Sequence, residues 1–160
     1  MDAIDRVVAQ WDKERPDLNT LPMAMIGRLS RLYKHLEMAI ADVHKRYGLK
    51  LGEFDVLATL RRAGKPFELT PSELIASMML TSGAMTNRLD KLENKGLITR
   101  CHSTADRRSV SVALTASGLQ LIDEIIEEHV KAQQKLVKNL SLDEQQMINQ
   151  SLKVWLGHFE

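Results

Sequence analysis

Residues 81–118, TSGAMTNRLDKLENKGLITRCHSTADRRSVSVALTASG, hold a helix, two strands and the start of another helix, and their order decides the fold. Thr81 is a favourable N-cap, Met85, Leu89 and Leu92 recur at helical spacing, and Gly96 offers a left-handed stop. The spacing predicts a helix over 82–95. GLITRCH and SVSVALT follow as strand-like segments, the second alternating through Val110, Val112 and Leu114, with polar residues between them. They predict a β-hairpin whose tip carries Asp106, Arg107 and Arg108.

Upstream, TPSELIASMM carries Thr70 as N-cap, Pro71 at the first helical position and Glu73 three residues after the cap, a capping box that starts a short helix. Two short helices meeting at a tight corner have the layout of a helix-turn-helix, whose second helix can enter a DNA major groove. Off the apolar seam of helix 82–95 lie Ser82, Gly83, Thr86, Asn87, Arg88 and Lys91, small or hydrogen-bonding residues for base edges and two cations for phosphates. A cationic hairpin tip suits the minor groove, whose negative potential attracts arginine, and Asp106 can fix one guanidinium and aim the other. Taken alone, the helix face reads equally as a solvated surface and the DRR tip as a mobile charged turn. Their succession favours DNA.

Further out, GEFDVLATLRRAG predicts a helix of about three turns ending at Gly64. From Pro22 to Tyr47 the apolar positions Ile26, Leu29, Leu32, Tyr33, Leu36, Ile40 and Val43 keep a helical period up to Gly48. Ile4, Val7, Val8 and Trp11 mark a short first helix, separated by Pro16 and Pro22. After the hairpin, Thr115 caps a long helix with Leu119, Ile122, Ile125, Ile126 and Val130. SLDE gives a capping box at Ser141 and Glu144 before a last helix with Met147, Ile148, Leu152, Trp155 and Leu156. Burying the terminal helices against a second copy makes a two-fold dimer that sets two recognition helices about one DNA turn apart. The fold class expected is mainly α with a small β-hairpin wing. Its segments are 1–21 (extension helix and linker), 22–50 (dimerisation and ligand helix), 51–115 (winged helix-turn-helix) and 116–160 (C-terminal dimerisation helices).

Composition sets the bounds. At 160 residues, 44% hydrophobic, the chain is expected to form one folded unit, and a formal charge of +1 confines DNA binding to a local basic face. With no signal-like amino end and one cysteine, a reducing cytoplasm is the expected location. His35, His44, His102, His129 and His158 show no ligand spacing, so no metal or other cofactor is expected. Neither a glycine-rich phosphate loop, a nucleophile elbow nor an acid/base cluster supports an enzyme.

The run LTSGAMTNRLDKLENKGLITR…ADRRSVSVALTASG resembles the MarR family of winged-helix transcription regulators, over about residues 22–158. The resemblance implies that helix 82–95 reads the major groove, that Arg107 or Arg108 reaches the minor groove, and that the chain dimerises through its terminal helices. The extension VVAQWDKERPDLN is similar to the urate-responsive, PecS-type branch of that family. In that branch a tryptophan, an aspartate and an arginine form the ligand site, which implies Trp11, Asp55 and Arg100 here, with Arg15 as a further cation. An anionic purine suits them: Trp11 gives a stacking face, Arg100 planar donors, and Asp55 is expected to hold Arg100 when no ligand is bound. The function expected is a repressor that binds a palindromic operator as a homodimer and is released by a small aromatic anion such as urate. The alternatives are another phenolic ligand, oxidation at Cys101, or a helical dimer that binds protein and not DNA.

Overall fold

A computed structural model of the chain describes residues 1–79, 85–102 and 110–160. Helices α1 (Ala3–Glu14), α2 (Leu21–Arg46) and α3 (Leu51–Arg62) are followed by β1 (Glu68–Leu69), α4 (Pro71–Ser77), α5 (Met85–Asn94), β2 (Ile98–His102), β3 (Val110–Leu114), α6 (Ala116–Leu136) and α7 (Leu142–Leu156). The helix stops expected at Gly48, Gly64 and Gly96 are present, all three at positive φ. Thr81 and the hairpin tip lie outside the described residues.

The chain divides into two compact units, Met1–Ile40 and Ala41–Glu160, where composition predicted one. The division falls within α2, whose 26 residues extend roughly 39 Å, more than a small core can cover. In the first unit Asp2 caps α1 and forms a capping box with Asp5 that the sequence reading did not foresee. Arg28 of α2 binds both carboxylates, with Nε 2.8 Å from Asp2 Oδ2, and holds the Asp2 carboxyl down to about 2. Ile4 packs onto Gly27, where an added Cβ would meet its Cδ1 at 3.0 Å.

In the second unit α3 is the central helix. Phe54, Val56, Leu57 and Leu60 are buried against Leu74 of α4, Met85, Leu89 and Leu92 of α5, and Ile122 and Ile125 of α6. The predicted hairpin becomes a three-stranded antiparallel sheet in the order β1-β3-β2, with Arg100 opposite Val112 and Leu69 also paired to Val112. Two-residue β1 was not anticipated; so short a strand carries no readable alternation. The LTASG run acquires a physical reason. Thr115 Oγ1 donates to the Gly96 carbonyl at 2.7 Å and accepts from the Gly118 N–H, and a Cβ on Gly118 would stand 1.9 Å from the Leu97 carbonyl oxygen. Only glycine lets α6 start that close to the entry of β2.

His44 and His129, 85 positions apart, meet at 3.0 Å between Nε2 and Nδ1 and stack with Phe54, the His44 ring 3.8 Å from the Phe54 ring. His44 is fully buried and its Nδ1 has no partner among the described residues. Burial first, and the His129 charge second, pull its pKa from 6.5 to about 4. The folded chain therefore binds fewer protons here than the unfolded chain. The stability this contributes is complete above pH 6.5 and is lost as pH falls from there towards 4. Urea unfolding at pH 5.0 should give about 2 kcal/mol less stability than at pH 7.5, with His44→Leu removing part of the difference and His129, whose pKa burial also lowers, keeping the rest. Equal pH dependence in the variant would assign the loss to other groups.

Candidate nucleic-acid interface

Helix α5 is pinned by its apolar seam, since Met85, Leu89 and Leu92 are buried and leave Thr86, Asn87, Asp90 and Lys91 exposed on the opposite side. No acid stands in its first turn. Of the residues expected to touch DNA, Thr86, Asn87 and Lys91 therefore share an open face. Ser82, Gly83, Asp106, Arg107 and Arg108 lie outside the described residues. Arg88 is placed differently from the other cations: its side chain lies over Gly52 at the start of α3, where an added Cβ would stand 2.5 Å from its Nε. At its far end α5 is tied down by Lys95, which follows the helix and donates to the Gly48 carbonyl at 2.8 Å and to Glu53 Oε2 at 2.7 Å. Burial raises the pKa of Glu53, but Lys95 and the Lys50 N–H outweigh it and hold the carboxyl below its ordinary range.

Arg100 links the helix to the wing root. On β2 it donates through Nη2 to Asp90 Oδ1 at 2.6 Å and through Nη1 to Glu93 Oε2 at 2.8 Å, while its backbone N–H reaches Glu93 Oε1 at 3.2 Å. The hydrogen bond to Asp90, ahead of the Glu93 charge, raises the guanidinium pKa further. The sequence reading paired Arg100 with Asp55, and the structure corrects this. Asp90 and Glu93 stand three residues apart on one face of α5, facing β2, a fork that a bidentate guanidinium fits. Asp55 is buried on α3, its Oδ1 4.0 Å from Arg62 Nη1. Arg100 thus neutralises an exposed acid on the helix expected to approach phosphates. Asp90 and Glu93 were missed from sequence, although an i, i+3 acid pair seven to ten residues before a strand arginine was the available signal.

The other ligand candidates fall in different units. Trp11 and Arg15 belong to Met1–Ile40, Asp55 and Arg100 to Ala41–Glu160. Trp11 is about two-fifths exposed on α1. Arg15 is engaged by Asp17 through two hydrogen bonds of 2.8 and 2.6 Å. Cys101, next to Arg100, is exposed. No group of three or more metal-ligating side chains occurs among the described residues.

The MarR family model matches residues 49–110, which run from the start of α3 to β3. The chain is 39% identical over 157 residues to the HTH-type transcriptional regulator PecS of Dickeya dadantii, covering 98% of this chain and 92% of that protein. The chain belongs to the MarR family. Among solved structures, a MarR-like transcription regulator of Bacillus cereus shares the fold, with a TM-score of 0.78 at 18% identity over 89% of this chain and all of that one. A cysteine-to-serine mutant of Escherichia coli MarR, solved in complex with operator DNA, is 27% identical with a TM-score of 0.71, over 91% of this chain and 97% of that one. As a MarR-family protein the chain is a helix-turn-helix transcription regulator and not an enzyme. No described helix is long and apolar enough to cross a membrane.

Proposed function

We propose that this MarR-family regulator is a cytoplasmic repressor that binds a palindromic operator as a homodimer and is released by a small aromatic anion, urate being the first candidate. The observation that carries the proposal is the open Thr86, Asn87, Lys91 face of α5, strapped by Arg100 to the strand that leads into the wing. Thr86 and Asn87 read bases. Lys91 with Arg107 and Arg108 meets phosphate and the minor groove, Asp106 orients the wing arginines, and Ser82 and Gly83, small residues in the sequence, meet base edges. Homodimerisation is supported by α7, which buries no residue of its own and exposes Leu142, Met147, Ile148, Leu152 and Val154.

Ligand release rests on the resemblance of the amino-terminal extension to the urate-responsive branch and on the residues that resemblance implies: Trp11, Arg15, Asp55 and Arg100. A planar anion is the chemistry these side chains share, with Trp11 to stack and guanidinium groups to pair. It has to compete with Asp17 for Arg15 and with Asp90 and Glu93 for Arg100. Competition of that kind loosens α5 from β2, so a ligand that takes Arg100 weakens DNA binding. Linkage asks for about 1–3 kcal/mol tighter binding to the released state.

The test uses urate in a Trp155→Phe background, where Trp11 is the sole tryptophan. Urate is expected to quench Trp11 fluorescence and to release a palindromic duplex selected from a random pool, at the same concentrations. Trp11→Phe should keep duplex binding and lose most of the response. Unchanged fluorescence and duplex affinity at millimolar urate would overturn the urate reading; release only after peroxide, abolished by Cys101→Ser, would move the signal to Cys101.

A further inference from the structure

Two adjacent cations close α3, and they part company. Arg61 turns to α6, its Nε 2.6 Å from Asp123 Oδ1 and its guanidinium 5.1 Å from the centre of the Phe67 ring. Arg62 turns to α4. Its Nη2 donates to the carbonyl of Ser77, the last residue of that helix, and its Nη1 lies 4.0 Å from Asp55 Oδ1. Asp55 sits two turns earlier on α3 and is buried, so it orients the guanidinium from the inner side. After Ser77 the chain leaves the helix at once, Met78 being extended at φ −75° and ψ 148°. The Ser77 carbonyl is thus one of the terminal acceptors without a partner inside the helix, at the negative end of its dipole. A guanidinium there satisfies the carbonyl and fixes where the chain departs from α4 towards the recognition helix.

We propose that Arg62 is a positioning residue for operator recognition, which holds the carboxyl end of α4 against α3 and makes no DNA contact itself. Such a residue has a recognisable signature. A phosphate-binding arginine weakens binding to all duplexes alike and lowers the salt slope by about one when removed. A residue that sets the launch angle of α5 degrades base contacts and leaves the phosphate count unchanged. Discrimination between operator and random duplex falls, and the salt slope stays.

The test compares Arg62→Met, which keeps the apolar stem, with Arg62→Lys and Arg61→Met in the full-length chain. Arg61→Met removes the same charge from the neighbouring position and controls for net charge. Each protein is titrated with the selected palindromic duplex and with a random duplex at several salt concentrations, after thermal melting has shown that it is folded. Arg62→Met is expected to lose about tenfold affinity for the palindrome and less than twofold for the random duplex, with an unchanged salt slope. Arg62→Lys should recover part of the loss, because an ammonium can serve the single carbonyl; if Arg62→Met does not fold, it carries the comparison at a smaller deficit. Arg61→Met should shift discrimination by less than twofold. An equal loss on both duplexes with a slope shallower by about one would make Arg62 a phosphate contact and overturn the proposal, as would unchanged discrimination in a folded Arg62→Met. The proposal rests on operator binding by this chain, and a wild type that does not prefer the palindrome would refute that premise and not the role of Arg62.

Discussion

Replacing Arg100 by alanine is expected to weaken operator binding by about 10- to 100-fold, a larger loss than for removal of a single phosphate contact. Two charge-assisted hydrogen bonds to Asp90 and Glu93 disappear, together with the tie between α5 and β2. Discounted for partial exposure, these bonds contribute about 1–2 kcal/mol. The remainder comes from electrostatics, because Asp90 and Glu93, on the helix proposed to approach DNA, lose their counter-charge. That split can be measured by fluorescence anisotropy. Adding Asp90→Asn to Arg100→Ala should return part of the affinity, and Arg100→Lys should fall between wild type and alanine. Wild-type affinity in Arg100→Ala, with only the ligand response blunted, would restrict Arg100 to ligand binding.

Deleting residues 141–160 is expected to convert a dimer into a monomer and to lower operator affinity by about 100-fold or more, since each half-site must then be bound without its partner. The core explains why the remainder should survive. None of its buried cluster comes from α7, whose Leu142, Met147, Ile148, Leu152, Val154 and Leu156 are exposed. Burying an aliphatic side chain contributes about 1.5–3 kcal/mol, so a face of this size has much to gain from a second copy. Sedimentation velocity and circular dichroism decide it: the truncated chain should sediment as a folded monomer. A truncated dimer with normal operator affinity would place the dimer contact elsewhere.

Local rules made most of the secondary structure readable. Thr70 with Glu73 and Ser141 with Glu144 form the expected capping boxes, Thr115 caps α6, and the alternation of Val110, Val112 and Leu114 is a strand with Val112 fully buried. Each feature depends on residues close in sequence. What was not legible depends on distance. His44 meets His129 across 85 positions, and Lys95 reaches Glu53 across 42, pairings that no spacing rule encodes. The candidate site shows the same boundary. The exposed Thr86, Asn87, Lys91 face follows from the seam of α5 and was readable. The partner of Arg100 was not, because Asp55, Asp90 and Glu93 are all plausible acids and only the packing of α5 against β2 decides among them. Arg61 and Arg62 are adjacent in sequence, and only the fold sends one to α6 and the other to α4.

If this chain grips a palindromic duplex as a dimer through α5 and the wing of each copy, as proposed, the binding must depend steeply on salt. Lys91, Arg107 and Arg108 from two copies would neutralise about six phosphates, so the logarithm of the binding constant should fall against the logarithm of salt with a slope of about −5. That slope is expected at two chains per duplex; a slope shallower than about −1, or one chain per duplex at saturation, would contradict dimeric binding through these residues.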